Sequence, residues 1–228
     1  MNSERGELLM LPRWTVLNIG AITRNKFWGE RESESYRHIY CTSTVIRTGA
    51  EVILVDPPMT GADMAYLLDS RCGLTFRDVT KVFITHTHGD HMQGLDEFPD
   101  AAWYMMPKEL AAYSASSKNQ QRAARVIPAG DEIAPGIKTI AIPGHTPGLG
   151  GLLFTAAEGT VVITGDGVMT RDFFRHRMGY YNSADPEAAA QSICHLATIA
   201  DVIVPGHDNA FLVAAAQKDP LTEISYTK

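Results

Sequence analysis

The chain has 228 residues, 45% hydrophobic and 20% charged, with a formal net charge of −6. That balance excludes a disordered chain or a coiled coil and argues against a broad nucleic-acid surface, which needs a basic face. The apolar runs fall far short of the roughly 20 residues of a membrane helix, and the length favours one domain over residues 1–228.

Residues 1–14, MNSERGELLMLPRW, mix Glu and Arg around a short apolar stretch, unlike a secretory leader, so a cytoplasmic location is expected. Cys41, Cys72 and Cys194 are odd in number and widely spaced, which argues against a disulfide framework and for three small buried thiols. Residues 22–38 are polar around an exposed-looking Phe27-Trp28-Gly29.

Along the chain a short apolar run is repeatedly followed by an acid or a histidine. Val52-Ile53-Leu54-Val55 precedes Asp56, and Val82-Phe83-Ile84 leads through Thr85 to His86. Ile140-Ala141-Ile142 leads to His145, Val161-Val162-Ile163 to Asp166, and Val202-Ile203-Val204 to His207. Such runs suit strands buried on both faces, and the Gly and Pro residues after them end the strands. Each polar residue therefore sits at the C-terminal end of a strand, where one rim can gather them. Helical patterns separate the strands. In 61–71, Met64, Leu67 and Leu68 share a face; 107–116 opens on Pro107; 186–199 follows an Asp185 cap and Pro186, with Ile193, Leu196 and Ala197 on one side. Hairpin-like pairs join 137–142 to 152–155 and 152–155 to 160–164. Two sheets covered by helices are expected.

Residues 85–91 read Thr-His-Thr-His-Gly-Asp-His, three of the chain's eight histidines in six positions. Imidazole nitrogen and carboxylate oxygen both bind zinc at roughly 2.0–2.2 Å. His86 and His88 point the same way on an extended segment, and Gly89 lets the chain turn before Asp90 and His91. Each pair needs further donors, and His145, Asp166 and His207 wait at strand ends. Burying so many ionisable groups without a cation is costly. His38 and His195 are expected at or near the surface, without metal.

H-x-H-x-D-H, then Gly-His-Thr at 144–146, Thr-Gly-Asp at 164–166 and Pro-Gly-His at 205–207, resembles the metallo-β-lactamase superfamily, and Asp56 in ILVDPP matches that family's first motif. The resemblance implies an α/β fold, an αβ/βα four-layer sandwich, with the site at one rim. It implies one metal on His86, His88 and His145, a second on Asp90, His91 and His207, Asp166 bridging, and Asp56 orienting the ligands. It also implies a hydroxide between two divalent ions, zinc first, with iron or manganese accepted by the same donors, and Asp90 as catalytic proton acceptor. Within the family, the commonest zinc β-lactamases place a Cys at the second metal, whereas no Cys of this chain falls in a motif. Flavin-linked diiron members carry Glu where this chain has His88. The basic, Tyr-rich clamp usual in glyoxalase II is absent after His207. The segment from Asn182 to Val213 resembles a small branch of the family linked to RNA cleavage.

The expected reaction is metal-assisted hydrolysis of a small-molecule ester, thioester or lactone. The alternatives are a phosphodiesterase or ribonuclease, disfavoured by the acidic charge, and a mononuclear iron dioxygenase of the persulfide type. Trp28, Phe174, Arg175, His176 and Tyr180, in the loops 22–38 and 167–183, are candidates for contact with substrate, since long loops are often functional. Oligomeric state has no signature in the sequence.

Overall fold

The computed structural model describes residues 11–214. The reading of the N-terminus as no leader falls mainly on residues outside that range.

Among the described residues, twelve strands form two six-stranded sheets. The first runs in chain order: β1 (Arg13–Asn18), β2 (Ser43–Thr48), β3 (Glu51–Val55), β4 (Lys81–Ile84), β5 (Ala102–Met105) and β6 (Val126–Pro128). The hairpins β1–β2 and β2–β3 are antiparallel, and β3 to β6 are parallel. The second sheet has the order β12-β11-β10-β9-β8-β7, with β7 (Glu132–Ala134), β8 (Ile137–Ala141), β9 (Gly150–Ala156), β10 (Gly159–Gly165), β11 (Val202–Pro205) and β12 (Phe211–Leu212). Only β10–β11 is parallel in this sheet.

Helices supply the crossovers that parallel strands require. They are α1 (Gly61–Cys72), α2 (Gly89–Met92), α3 (Pro107–Ser114), α4 (Gln120–Ala123), α5 (Arg171–Arg175) and α6 (Pro186–Ile199). Helix α6 starts as its sequence requires: the Asp185 carboxylate accepts from Ala188 N, and Pro186 occupies the first turn.

Strand alternation sets the layers. In β10, Val161 and Ile163 face the other sheet and pack with Ile53, Val55, Phe83 and Phe154. Val162 faces the opposite way, against Ile193, Leu196 and Ala197 of α6. On the far side of the first sheet, Leu54, Val82 and Trp103 pack with Met64 and Leu68 of α1. The result is helix, sheet, sheet, helix, the expected four-layer sandwich.

Two expectations are corrected. Of the cysteines only Cys41 is buried; Cys72 and Cys194 are half-buried. Phe27 is not an exposed tip: its ring packs edge-on against Phe173, centroids 5.0 Å apart, and stacks on His176 at 4.1 Å. Phe174, a candidate for contact with substrate, lies in the interior. Its ring is fully buried under α6, 5.1 Å from the ring of Phe211, because α5 turns its apolar face inward.

Candidate metal centre

The five strand-end positions converge on one rim. Asp56 follows β3, His86 follows β4 by one residue, His145 follows β8, Asp166 follows β10 and His207 follows β11. Helix α2 presents Asp90 and His91 in its first turn. Asp56 has φ of 50°, the left-handed region, which Asp tolerates better than most residues. That bend turns its carboxylate back under the β4 loop.

The donors form two groups, each able to hold a metal ion: His86, His88, His145 and Asp166 in one, and Asp90, His91 and His207 in the other. In the first, His88 Nδ1 lies 3.0 Å from His86 Nε2 and 3.0 Å from His145 Nε2. Asp166 Oδ2 lies 3.1 Å from His145 Nε2 and 3.6 Å from His86 Nε2. In the second, His207 Nε2 and His91 Nε2 lie 3.5 and 3.8 Å from Asp90 Oδ2. Asp166 Oδ1 is 3.1 Å from both of those nitrogens. The Asp166 carboxylate thus turns one oxygen to each group. Gly206 makes room for it, since a Cβ there would collide with Asp166 Oδ1.

Hydrogen bonds on the far side of three rings, His86, His91 and His207, decide which nitrogen of the neutral imidazole is bare. His207 Nδ1 is 2.9 Å from Tyr40 O and 3.1 Å from Ala21 O. Carbonyls only accept, so Nδ1 carries the proton and Nε2 is bare. His91 Nδ1 donates to Asp56 Oδ2 at 2.8 Å. The Thr85 hydroxyl donates to the same oxygen at 2.6 Å, so it accepts from His86 Nδ1 at 3.2 Å. Asp56 Oδ1 accepts from Thr85 N at 2.8 Å. One buried carboxylate therefore orients one histidine of each group.

These donors suit a divalent cation. Asp90 Oδ2, His91 Nε2, Asp166 Oδ1 and His207 Nε2 are buried without a hydrogen-bond partner. Four bare, mutually repelling atoms facing one another are costly unless a cation joins them. Around a tetrahedral zinc at roughly 2.0–2.1 Å, ligand nitrogens stand about 3.3–3.4 Å apart, close to the separations seen.

Burial holds the His86 imidazole well below its usual range, which leaves it neutral and available as a donor. Burial likewise lowers His88. Burial opposes ionisation of Asp166, but a proton held on the facing His207 or His91 in the metal-free cluster favours the carboxylate, which lies well below its ordinary range; a cation would take the place of that proton. Cys41 lies beside Asp56 and His91. Burial pushes its thiol up to about 12, and its Sγ–H donates to Asp56 O at 3.5 Å. His91 Nδ1 is already taken by Asp56, so this third grouping is no metal site.

The loop candidates lie on the loops 22–38 and 167–183. Trp28 is 62% exposed and its Nε1 donates to Asp172 Oδ2 at 3.0 Å. Arg175 and His176 are exposed, and the buried Tyr180 donates its hydroxyl to Arg24 O at 3.0 Å. A cavity of about 280 Å³ lies between the two loops, lined by Arg24, Lys26, Phe173, Tyr180 and Tyr181 among others. Sequence reasoning missed Thr85, Glu109, Gly206 and the carbonyls of Ala21 and Tyr40. The carbonyls have no sequence signature. Gly206 sits inside the Pro-Gly-His motif, where its neighbour His207 drew the attention.

Fold and cluster together define a four-layer sandwich with a buried, metal-competent His/Asp site at the strand ends. A family model described as the Metallo-beta-lactamase superfamily matches residues 37–207, and the chain belongs to that family. The chain is similar to Metallo-beta-lactamase domain-containing protein 1 of Xenopus laevis, 31% identical over 179 residues, 75% of this chain and 72% of that one. It is 27% identical over 163 residues to an N-acyl homoserine lactonase of a Bacillus species, a match covering 67% of this chain and 65% of the lactonase. Among solved structures, AidC, a dizinc quorum-quenching lactonase, has a TM-score of 0.63 at 16% identity and covers 87% of this chain and 85% of its own. That last likeness is one of fold. Among the described residues, no helix is long and apolar enough to cross a membrane.

Proposed function

We propose that this chain is a cytoplasmic, single-domain hydrolase that works with two divalent ions, zinc first, on a small ester, thioester or lactone. His86, His88 and His145 would hold one ion, Asp90, His91 and His207 the other, and Asp166 would join them. The observation that carries the reading is the convergence of four buried, unpartnered donor atoms, with the tautomers of His91 and His207 fixed from behind. The lactonases among the chain's relatives support the substrate class.

When bound, the ions supply the charge that ionises a water near neutral pH and polarises the bond under attack. Asp90 is the acid–base group. Its side chain is 16% exposed against 4% for Asp166, so it is the more open of the two carboxylates. Asp90 takes a proton from water as the water oxygen bonds to the carbonyl carbon. The C–O or C–S bond then breaks, and Asp90 returns that proton to the departing alkoxide or thiolate. Asp56 and the Ala21 and Tyr40 carbonyls keep the imidazoles oriented throughout.

Elemental analysis of protein purified without chelator, with turnover on a panel of thioesters, lactones and bis-p-nitrophenyl phosphate, tests the proposal. Two equivalents of metal and turnover of carbonyl substrates are expected. Cleavage of the phosphodiester alone would replace the substrate class. One iron per chain, with oxygen consumed in the presence of glutathione persulfide, would overturn hydrolysis.

A further inference from the structure

The histidines of the cluster are not all held in the same way. His86, His91 and His207 are each fixed through the ring nitrogen that faces away from the cluster. His145 Nδ1, by contrast, is buried with no hydrogen-bond partner. His88 turns Nδ1 inward, and none of its hydrogen bonds described above comes from behind the ring. Two of the three imidazoles of the first group therefore lack the anchor that the other three possess, although such anchors ordinarily set ring orientation.

Their sequence neighbours supply another. Thr87 lies between His86 and His88, and Thr146 directly follows His145. Glu109, in the first turn of α3, is a buried carboxylate with 2% exposure. Its Oε1 accepts from Thr87 N at 3.0 Å and from Thr87 Oγ1 at 2.9 Å. Its Oε2 accepts from Thr146 Oγ1 at 2.7 Å. The loop after His145 is pressed onto the same turn: a Cβ at Gly148 would collide with the backbone of Glu109. A buried carboxylate is costly to retain without hydrogen bonds, and here all three that it accepts come from residues adjoining His86, His88 or His145.

We propose that Glu109 is a positioning residue that sets His88 and His145 for metal binding by tying their backbones together, replacing the missing hydrogen bonds from behind the rings. The inference rests on the binuclear reading above. It divides the cluster: Asp56 acts on His86 and His91, one histidine of each group, whereas Glu109 acts on the first group alone. Substitution at Glu109 therefore weakens one ion and spares the other.

The test is titration of chelator-stripped full-length protein with Co²⁺, followed by visible absorption and by competition with a chromogenic chelator, so that no turnover is needed. Glu109→Ala is expected to weaken one of two cobalt ions by about tenfold or more and to alter that ion's absorption bands, leaving the other unchanged. Glu109→Gln is expected to restore most of the affinity, because its amide can accept from Thr87 and donate to Thr146 Oγ1. Thr146→Val, which removes one arm, should show an intermediate loss. Should Glu109→Ala prove unstable, Thr146→Val carries the test. A lowered melting temperature with both affinities and both spectra intact would make Glu109 merely structural and overturn the inference. Wild-type protein that binds fewer than two ions would overturn the binuclear reading and this inference with it. Two ions bound by wild type and bound equally well by Glu109→Ala would overturn this inference alone.

Discussion

Asp56→Asn isolates the logic of the cluster, because it keeps size and removes only charge and one acceptor. In the structure Asp56 Oδ2 accepts from Thr85 Oγ1 at 2.6 Å and His91 Nδ1 at 2.8 Å, while Oδ1 accepts from Thr85 N at 2.8 Å. An amide can be placed in two ways. With its NH₂ toward Thr85 Oγ1 and His91, donor meets donor at His91, and the imidazole must move its proton to Nε2, the atom facing the second group. The Thr85 hydroxyl must then turn its proton toward His86 Nδ1, with the same consequence in the first group. With NH₂ toward Thr85 N, the metal-facing nitrogens stay bare, but a buried backbone N–H loses its acceptor at about 1–3 kcal/mol. The two remaining bonds also weaken from charge-assisted to neutral, about 1 kcal/mol each. The second placement is the milder, so the metal-free protein should lose about 3–5 kcal/mol of stability. Metal affinity should fall by about 10–100-fold at both sites, since His91 loses a charged orienting partner directly and His86 loses one through the Thr85 hydroxyl. Urea unfolding of stripped protein reads the first quantity and zinc competition titration the second. A variant that loses stability yet binds both ions as wild type would show that Asp56 supports the loop without governing the ligands.

Asp166→Ala removes the oxygens that face both groups and should abolish binding of both ions, read as metal content after dialysis; retention of one tight ion would show that the groups act independently. Gly206→Ala drives a methyl into Asp166 Oδ1 and should reduce metal content while leaving the circular dichroism of the fold unchanged. Phe174→Ala should cost about 3–5 kcal/mol as a core truncation, whereas a lid role would change KM with little change in urea midpoint. Glu51 is held below its usual range by the hydrogen bond from Lys81 and then that from Thr80. Its folded-state pKa is depressed, so the pair's contribution is present above an unfolded value of 4.5 and is lost as pH falls through the lower folded value. The stability gap between wild type and Glu51→Gln should therefore close on acidification below about pH 4.5; a gap that persists at pH 2 would refute the assignment.

Local spacing in the chain was enough to foresee the layers and the metal-competent cluster. Apolar runs of three or four residues ending in Gly or Pro specify buried strands that stop abruptly, and the residue after such a strand has to emerge at a sheet rim. His86, His145, Asp166 and His207 were legible for that reason, as were Met64 and Leu68 on α1 and the Asp185 cap of α6. Side-chain roles that depend on two distant segments meeting were not legible. Glu109 reads in sequence as an ordinary acid in a helix's first turn, and only packing of the 145–150 loop against α3 gives it Thr87 and Thr146. Phe174 shares its surroundings in sequence with Arg175 and His176, and only the turn of α5 sends it under α6 while they face solvent. The Tyr40 and Ala21 carbonyls that fix the His207 tautomer carry no residue-type signal, because any amino acid there offers the same oxygen. The donor list is a property of the chain, whereas which nitrogen of His86, His91 and His207 is bare is decided by tertiary hydrogen bonds behind those rings.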